Sequence, residues 1–98
     1  MATIKKLVLD VLKPHQPNAL EFALTLAEQG VGYQVQLAVT EMDEKTESTV
    51  LVITGEDIEF KSIEEAIRRM GASLHSIDEV EVHSGLAGDR SGSSPAGS

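Results

Sequence analysis

The sequence predicts an α+β sandwich whose elements follow one another in the order β-α-β-β-α-β. In two segments the apolar residues recur with helical spacing, and in four others they alternate with polar residues or form β-branched runs. The chain has 98 residues, of which 41% are hydrophobic and 3% aromatic. This length and composition suit one small domain with an aliphatic core.

The first predicted strand runs from Thr3 to Leu12 and ends before two prolines, which remove backbone donors. Asn18 is the predicted N-cap of the following helix, because its side-chain oxygen can accept an orphan backbone N–H. Glycines at positions 30 and 32 end this helix. Its apolar stripe is predicted to consist of Leu20, Ala23, Leu24 and Ala27, widened by Phe22 and Leu26.

A polar hairpin connection is predicted to join the second and third strands. Residues Tyr33–Thr40 alternate between apolar and polar, Glu41–Glu47 are polar, and Thr49–Thr54 are rich in β-branched residues. A second helix ends at Gly71, and the fourth strand follows from Ala72 to Val82. The apolar face of the second helix is formed by Phe60, Ile63, Ile67 and Met70.

Two strand–helix–strand halves of this kind interleave into one four-stranded antiparallel sheet. Each right-handed crossover leaves room for one strand, which gives the order 4-1-3-2 with both helices on one face. This is the ferredoxin-like sandwich, a fold that does not specify an activity. We expect part of its helix-free face to be covered, because that face would carry Val8, Leu12, Ala38, Val50 and Val52.

Residues 1–83 are predicted to form this domain, and residues 84–98 a disordered tail. The tail is rich in glycine and serine and has almost no apolar content. Such a segment cannot bury enough surface to offset the entropy of ordering it.

Charge and cysteine content exclude several function classes. Eight basic against sixteen acidic residues give a net charge of −8, which argues against nucleic-acid and anionic-membrane partners. No apolar run approaches the roughly 20 residues of a membrane span. With no cysteine there is no thiol nucleophile or cysteine metal site, and no signal-peptide stretch opens the sequence. We therefore expect a cytoplasmic protein.

Three segments resemble the archaeal family called "domain of unknown function 211". They are Leu7–Pro17, Glu41–Glu47 and Gly71–Val80, and Gly55–Phe60 also fits the family pattern. The resemblance spans residues 3–82. It implies a ferredoxin-like subunit of a ring-shaped homo-oligomer, a heptamer, and the presence of divalent cations, calcium among them. It implies no established activity.

Carboxylates in these segments are the candidate metal ligands, because oxygen donors suit Ca²⁺ and similar hard cations. Glu41 and Asp43 would share one face of an extended strand, about 7 Å apart. Asp10, Asp78 and Glu79 complete the predicted ligand set. The spacing is not that of an EF-hand loop, and a solvated hairpin tip is the alternative interpretation of Glu41 and Asp43.

A second candidate site is a polar cluster of His15, His75 and Lys13. In the order 4-1-3-2 the start of strand 4 lies beside the end of strand 1, which brings His75 towards Asp10 and His15. A histidine–carboxylate arrangement can hold a transition metal, transfer a proton or fix a strand end by a hydrogen bond. Lys13 could contact a small anion or belong to a rigid turn. Strict alternation would place Ile77 and Glu79 on the same face as His75, and Ser76 and Asp78 on the other.

These features favour an uncharacterised, ring-forming homo-oligomer that binds a divalent cation or small ligand at its subunit boundaries. The alternative is a small-molecule-sensing regulatory module that acts through a partner protein. An enzyme using His75 or His15 with a carboxylate is less favoured, because no nucleophile elbow, phosphate-binding loop or dinucleotide fingerprint occurs.

Overall fold

The computed structural model describes residues 1–85 and confirms the ferredoxin-like arrangement. All neighbouring strands pair antiparallel, in the order β2-β3-β1-β4, which is the predicted order read from the other edge. No helix in this part of the chain is long and apolar enough to cross a membrane. Most of the predicted tail, residues 86–98, lies outside the described residues. The elements are β1 (Thr3–Pro14), α1 (Ala19–Ala27), β2 (Gln34–Met42), β3 (Thr46–Thr54), α2 (Phe60–Arg69) and β4 (Ser73–His83).

The core lies between the two helices and one face of the sheet. We call this face the helix side and the opposite face the open side. Alternate residues of the central strands β1 and β3 are buried on the helix side, as the strand period requires. The helices contribute as many buried apolar residues as the strands. The buried apolar residues are Leu7, Leu9, Val11, Phe22, Leu26, Leu51, Ile53, Ile58, Ile63, Ala66, Ile67 and Ala72.

Helix α1 begins as predicted but turns a different face to the core. Asn18 accepts a hydrogen bond from the backbone N–H of Glu21, whose side chain accepts from the backbone N–H of Asn18. The buried residues are Phe22 and Leu26, whereas Leu20 is 68% exposed. The predicted stripe centred on Leu20 and Leu24 is therefore wrong. Two apolar stripes compete on this helix, and the one with the phenylalanine buries more surface.

The central strands extend further towards the β2–β3 hairpin than predicted. Lys13 pairs with Glu47 and Pro14 with Thr46, so β1 runs two residues longer and β3 begins three residues earlier. We call the end of the sheet with Pro14, the β2–β3 hairpin and the start of β4 the hairpin end.

Register shifts in β4 change which of its residues share a face. Leu9 pairs with Ile77, but the next pair along the strands is Val8 with Glu79. An extra residue on one strand reverses the alternation beyond it. Ile77 consequently lies on the helix side and Glu79 on the open side, so strict alternation along this strand is wrong.

The open side is less exposed than the sequence predicts. Val8, Val50 and Val52 are each half-buried there, and only Leu12 among the large apolar residues of this face is exposed. Most of the exposed large apolar side chains of the sheet lie instead along its two edges.

Candidate functional site

A buried ion pair lies at the hairpin end of the sheet, on the helix side. Lys13 and Glu47 are direct cross-strand partners on β1 and β3, and Lys13 Nζ is 2.9 Å from Glu47 Oε1. The same ammonium donates to the carbonyl oxygen of Pro14 at 2.8 Å and lies 5.9 Å from the centre of the Phe22 ring. Lys13 has 0% exposed surface, and these three partners compensate for the loss of water around its ammonium group.

His15 extends this cluster to the hairpin. Its Nδ1 is 2.9 Å from Glu47 Oε2, and its Nε2 lies 3.1 Å and 3.0 Å from the carbonyl oxygens of Asp43 and Glu44. All three partners are acceptors when Glu47 is ionised, and only the imidazolium form can donate to them from both ring nitrogens. The hydrogen bond to Glu47 raises the pKa of His15. That bond, followed by the one from Lys13, lowers the pKa of the Glu47 carboxyl.

The cluster therefore has a structural role, in which Lys13, Glu47 and His15 tie β1, β3 and the hairpin tip together. Lys13 is not available to an external anion, because its ammonium is buried and already engaged. Glu47 was not among the predicted site residues. A signal for it does exist in the sequence, because Glu47 continues the two-residue period of Thr49, Leu51 and Ile53 towards the hairpin.

The predicted approach of β4 to β1 brings His75 to Asp10, with His75 Nδ1 3.2 Å from Asp10 Oδ2. His15 does not join them, since its ring nitrogens contact Glu47 and the hairpin. Asp78 accepts a hydrogen bond from the Ser76 hydroxyl at 2.8 Å.

The remaining predicted ligands do not converge with this pair. Glu79 forms an ion pair with Lys6 at 3.1 Å. Glu41 lies on the edge strand β2 and Asp43 in the hairpin, both exposed, whereas Asp78 and Glu79 lie on the opposite edge strand. Residues 1–85 contain no group of three or more histidines and carboxylates positioned to hold a metal ion. Within residues 1–85 of one copy, the predicted ligands therefore do not converge on one point.

Comparison with known proteins identifies the family. The sequence model of DUF211, described as "Uncharacterized ArCR", matches residues 5–90. The chain belongs to the DUF211 family. This DUF211 protein is also 40% identical over 80 residues to "Uncharacterized protein MJ0319" of Methanocaldococcus jannaschii. The aligned segment covers 82% of each chain. Neither description names an activity, so a function for this DUF211 protein has to be argued from its geometry.

Proposed function

We propose that this DUF211 protein is the subunit of a ring-forming homo-oligomer whose copies join edge to edge through β2 and β4. One observation supports the proposal above all: both edge strands carry large exposed apolar side chains, and all of these large residues lie on the helix side. On β2 they are Val39 and Met42, whose cross-strand partners are Thr49 and Glu47. On β4 they are Ile77, Val80 and Val82, each about half exposed.

Exposed apolar residues beside unpaired backbone groups favour association. A chain of this size buries only roughly 60–65% of its unfolded surface by itself, so further burial adds substantially to its stability. Covering the edges of the sheet would satisfy backbone donors and acceptors and remove apolar surface from water in one contact.

The strand directions suit such a contact. β3 and β4 both run antiparallel to β1, and β2 runs antiparallel to β3. β2 and β4 therefore run in opposite directions, and β2 of one copy can continue the sheet beside β4 of the next as an antiparallel neighbour. The contact is head-to-tail, and it closes into a ring when its rotation permits.

The same contact supports cation binding at the subunit boundary. It would bring Glu41 and Asp43, at the hairpin end of β2, beside the first half of β4 in the next copy. His75 and Asp78 lie in that half of the strand. Oxygen donors divided between two edges of one chain would then meet across the boundary, where calcium or another divalent cation could use ligands from both copies.

Light scattering and native mass spectrometry test the assembly directly. We expect a mass several times 10.5 kDa at micromolar protein, and the family resemblance implies seven subunits. Val80→Asp should dissociate the assembly, because it places a charge in the edge contact. The matched control Glu65→Gln, on the exposed surface of α2, should leave the mass unchanged. A wild-type mass of 10.5 kDa would contradict the proposal.

A further inference from the structure

The edge strand β2 presents its apolar residues at uneven intervals. Its helix-side residues are Val35, Leu37, Val39 and Met42, because their partners on β3 are the buried residues of that strand. The register shift between Val39 and Glu41 adds one residue to β2. The helix-side residues of β2 therefore follow one another at intervals of two, two and three.

The other edge strand, β4, has a similar series that runs in the opposite direction. Its helix-side residues are Leu74, Ile77, Val80 and Val82, whose partners on β1 belong to the core or pack against it. Counted backwards from Val82, they follow at intervals of two, three and three.

Only one antiparallel register sets all four residues of one series opposite all four of the other, from Val35 with Val82 to Met42 with Leu74. We call it the four-pair register. Its one irregularity is an extra residue on β4, Asp78, which is already the extra residue in the pairing with β1.

The backbone groups of these residues point towards the free edges. The N–H of Asp43 donates to the carbonyl oxygen of Thr46 at 2.8 Å, and bonded and unbonded pairs alternate along an antiparallel ladder. Met42, next to Asp43, therefore directs its N–H and C=O away from β3. The same alternation, carried across β3 and β1, directs those of Leu74 away from β1. Opposite residues can thus exchange backbone hydrogen bonds in the four-pair register.

Charge also favours this register over its neighbours. Residues 34–40 of β2 are all uncharged, whereas residues 78–81 of β4 include three carboxylates. The four-pair register lays the uncharged stretch against the acidic one, with Gln36 opposite Glu81, and an amide can donate to a carboxylate. A shift of two residues in either direction loses an apolar pair. One of these shifts also places Glu41 opposite the acidic stretch, where like charges repel.

We propose that neighbouring copies join in the four-pair register, so that Glu41 of one copy lies opposite His75 of the next. The inference rests on the proposed edge-to-edge assembly. His75 Nδ1 is already 3.2 Å from Asp10 Oδ2 in its own chain, and the histidine side chain is 76% exposed. Glu41 and Asp10 both face the open side, because their partners on β3 are Ser48 and Val50. A second copy therefore supplies the second carboxylate beside this histidine.

Disulfide trapping tests the register. Three double variants share Glu81→Cys and place the second cysteine at Gln34, Gln36 or Ala38, which are all exposed on the open side of β2. The chain has no cysteine of its own. Within one chain, β3 and β1 separate the two positions by roughly 14 Å at the ordinary strand spacing, beyond the ~7 Å reach of a disulfide. Mild oxidation of Gln36→Cys/Glu81→Cys should therefore give covalent multimers on a non-reducing gel.

The other two variants are matched controls, because a shift of two residues moves the cysteines of adjacent copies roughly 8 Å apart. They should remain single bands. Linking at Gln34 or Ala38 in place of Gln36 would overturn the register and leave the edge contact standing. Equal ladders from all three variants would mean random collision and would also overturn the register.

A charge exchange tests whether Glu41 and His75 are neighbours. With a chelator present, His75→Glu should lower the assembled fraction severalfold at micromolar protein, and adding Glu41→Lys in the same chain should restore it. Adding Glu44→Lys is the matched control and should restore nothing, because Glu44 lies in the hairpin beyond the end of β2. Circular dichroism verifies that each variant is folded. Equal recovery from both lysines would mean that net charge alone decides, and would overturn the assigned neighbours.

The wild type separates failure of this inference from failure of the assembly. If it assembles but Gln36→Cys/Glu81→Cys forms no multimers, the register is overturned, and the Val80→Asp test still decides the edge contact. A monomeric wild type overturns both.

Discussion

A lysine without exposed surface requires partners for its ammonium group, and Lys13 finds them in Glu47, the Pro14 carbonyl and the Phe22 ring. Removing one partner of a buried pair is destabilising, because the remaining charge has no compensation. We expect Glu47→Gln to lower the melting temperature clearly more than Glu44→Gln, which alters an exposed carboxylate. Lys13→Met/Glu47→Leu should recover most of the loss. Equal melting temperatures for the two glutamine variants would contradict the role assigned to the pair.

His15 and Glu47 also predict how stability depends on pH. The raised pKa of His15 means that its contribution is complete below its ordinary value, about 6.5, and is lost as the pH rises through the raised value. The lowered pKa of Glu47 means that its contribution is present above its ordinary value, about 4.3, and is lost as the pH falls through the lowered value. The two contributions are therefore both present between about pH 4.3 and pH 6.5.

Thermal melts across this range test the prediction. The wild-type melting temperature should decline as the pH rises above about 6.5, and His15→Gln should remove that decline while keeping the acidic one. Parallel profiles for wild type and variant above this pH would show that His15 does not carry the effect.

At the scale of elements, helix α1 has two apolar stripes, and only one of them packs against the core. Phe22 is fully buried, so Phe22→Ala should cost about 3–5 kcal/mol of unfolding free energy. Leu20 is largely exposed, and Leu20→Ala should stay within about 0.5 kcal/mol. Denaturant titration of both variants measures the difference. Similar losses would contradict the finding that α1 packs the Phe22 face and leaves Leu20 in solvent.

The N-cap of α1 gives a smaller effect that can be tested in the same way. Asn18→Ala removes the side-chain bond to the N–H of Glu21 and should cost about 1 kcal/mol. Glu59 occupies the corresponding position of α2 and, within residues 1–85, makes no side-chain cap bond. Glu59→Ala is therefore the matched control and should cost clearly less. A loss equal to that of Asn18→Ala would argue against the capping explanation.

At the scale of the whole molecule, cation binding should depend on assembly. Calorimetric titration of chelator-treated wild type with Ca²⁺ should show heat and stabilisation at millimolar ion. The response should disappear in Glu41→Gln/Asp43→Asn, which removes two ligands, and in the dissociated Val80→Asp variant, which separates the ligand groups. Absence of any response in the assembled wild type would contradict calcium binding.

The exposed edges of the sheet also belong to this scale, and they show where prediction from the sequence was incomplete. The topology predicts two exposed edge strands. The apolar residues that they expose could not be assigned to a side before the register was known, because the shift between Val8 and Leu9 places Ile77 on the helix side. The sequence predicts apolar exposure on the helix-free face, whereas most of the large apolar side chains that the sheet exposes lie along its edges.

Local periodicity was sufficient for the element order, the Asn18 cap and the buried face of β1, because each depends on residues close together in the chain. The sheet order then followed from the element order and the handedness of the two crossovers. The Lys13–Glu47 pair, 34 residues apart, and the orientation of α1 depend on how distant elements pack. The helical period of α1 allows two faces, and only burial against the sheet selects Phe22 over Leu20. Glu47 looks like a solvated hairpin residue until its strand partner is known, since the position of a charged side chain depends on the charge it can pair with.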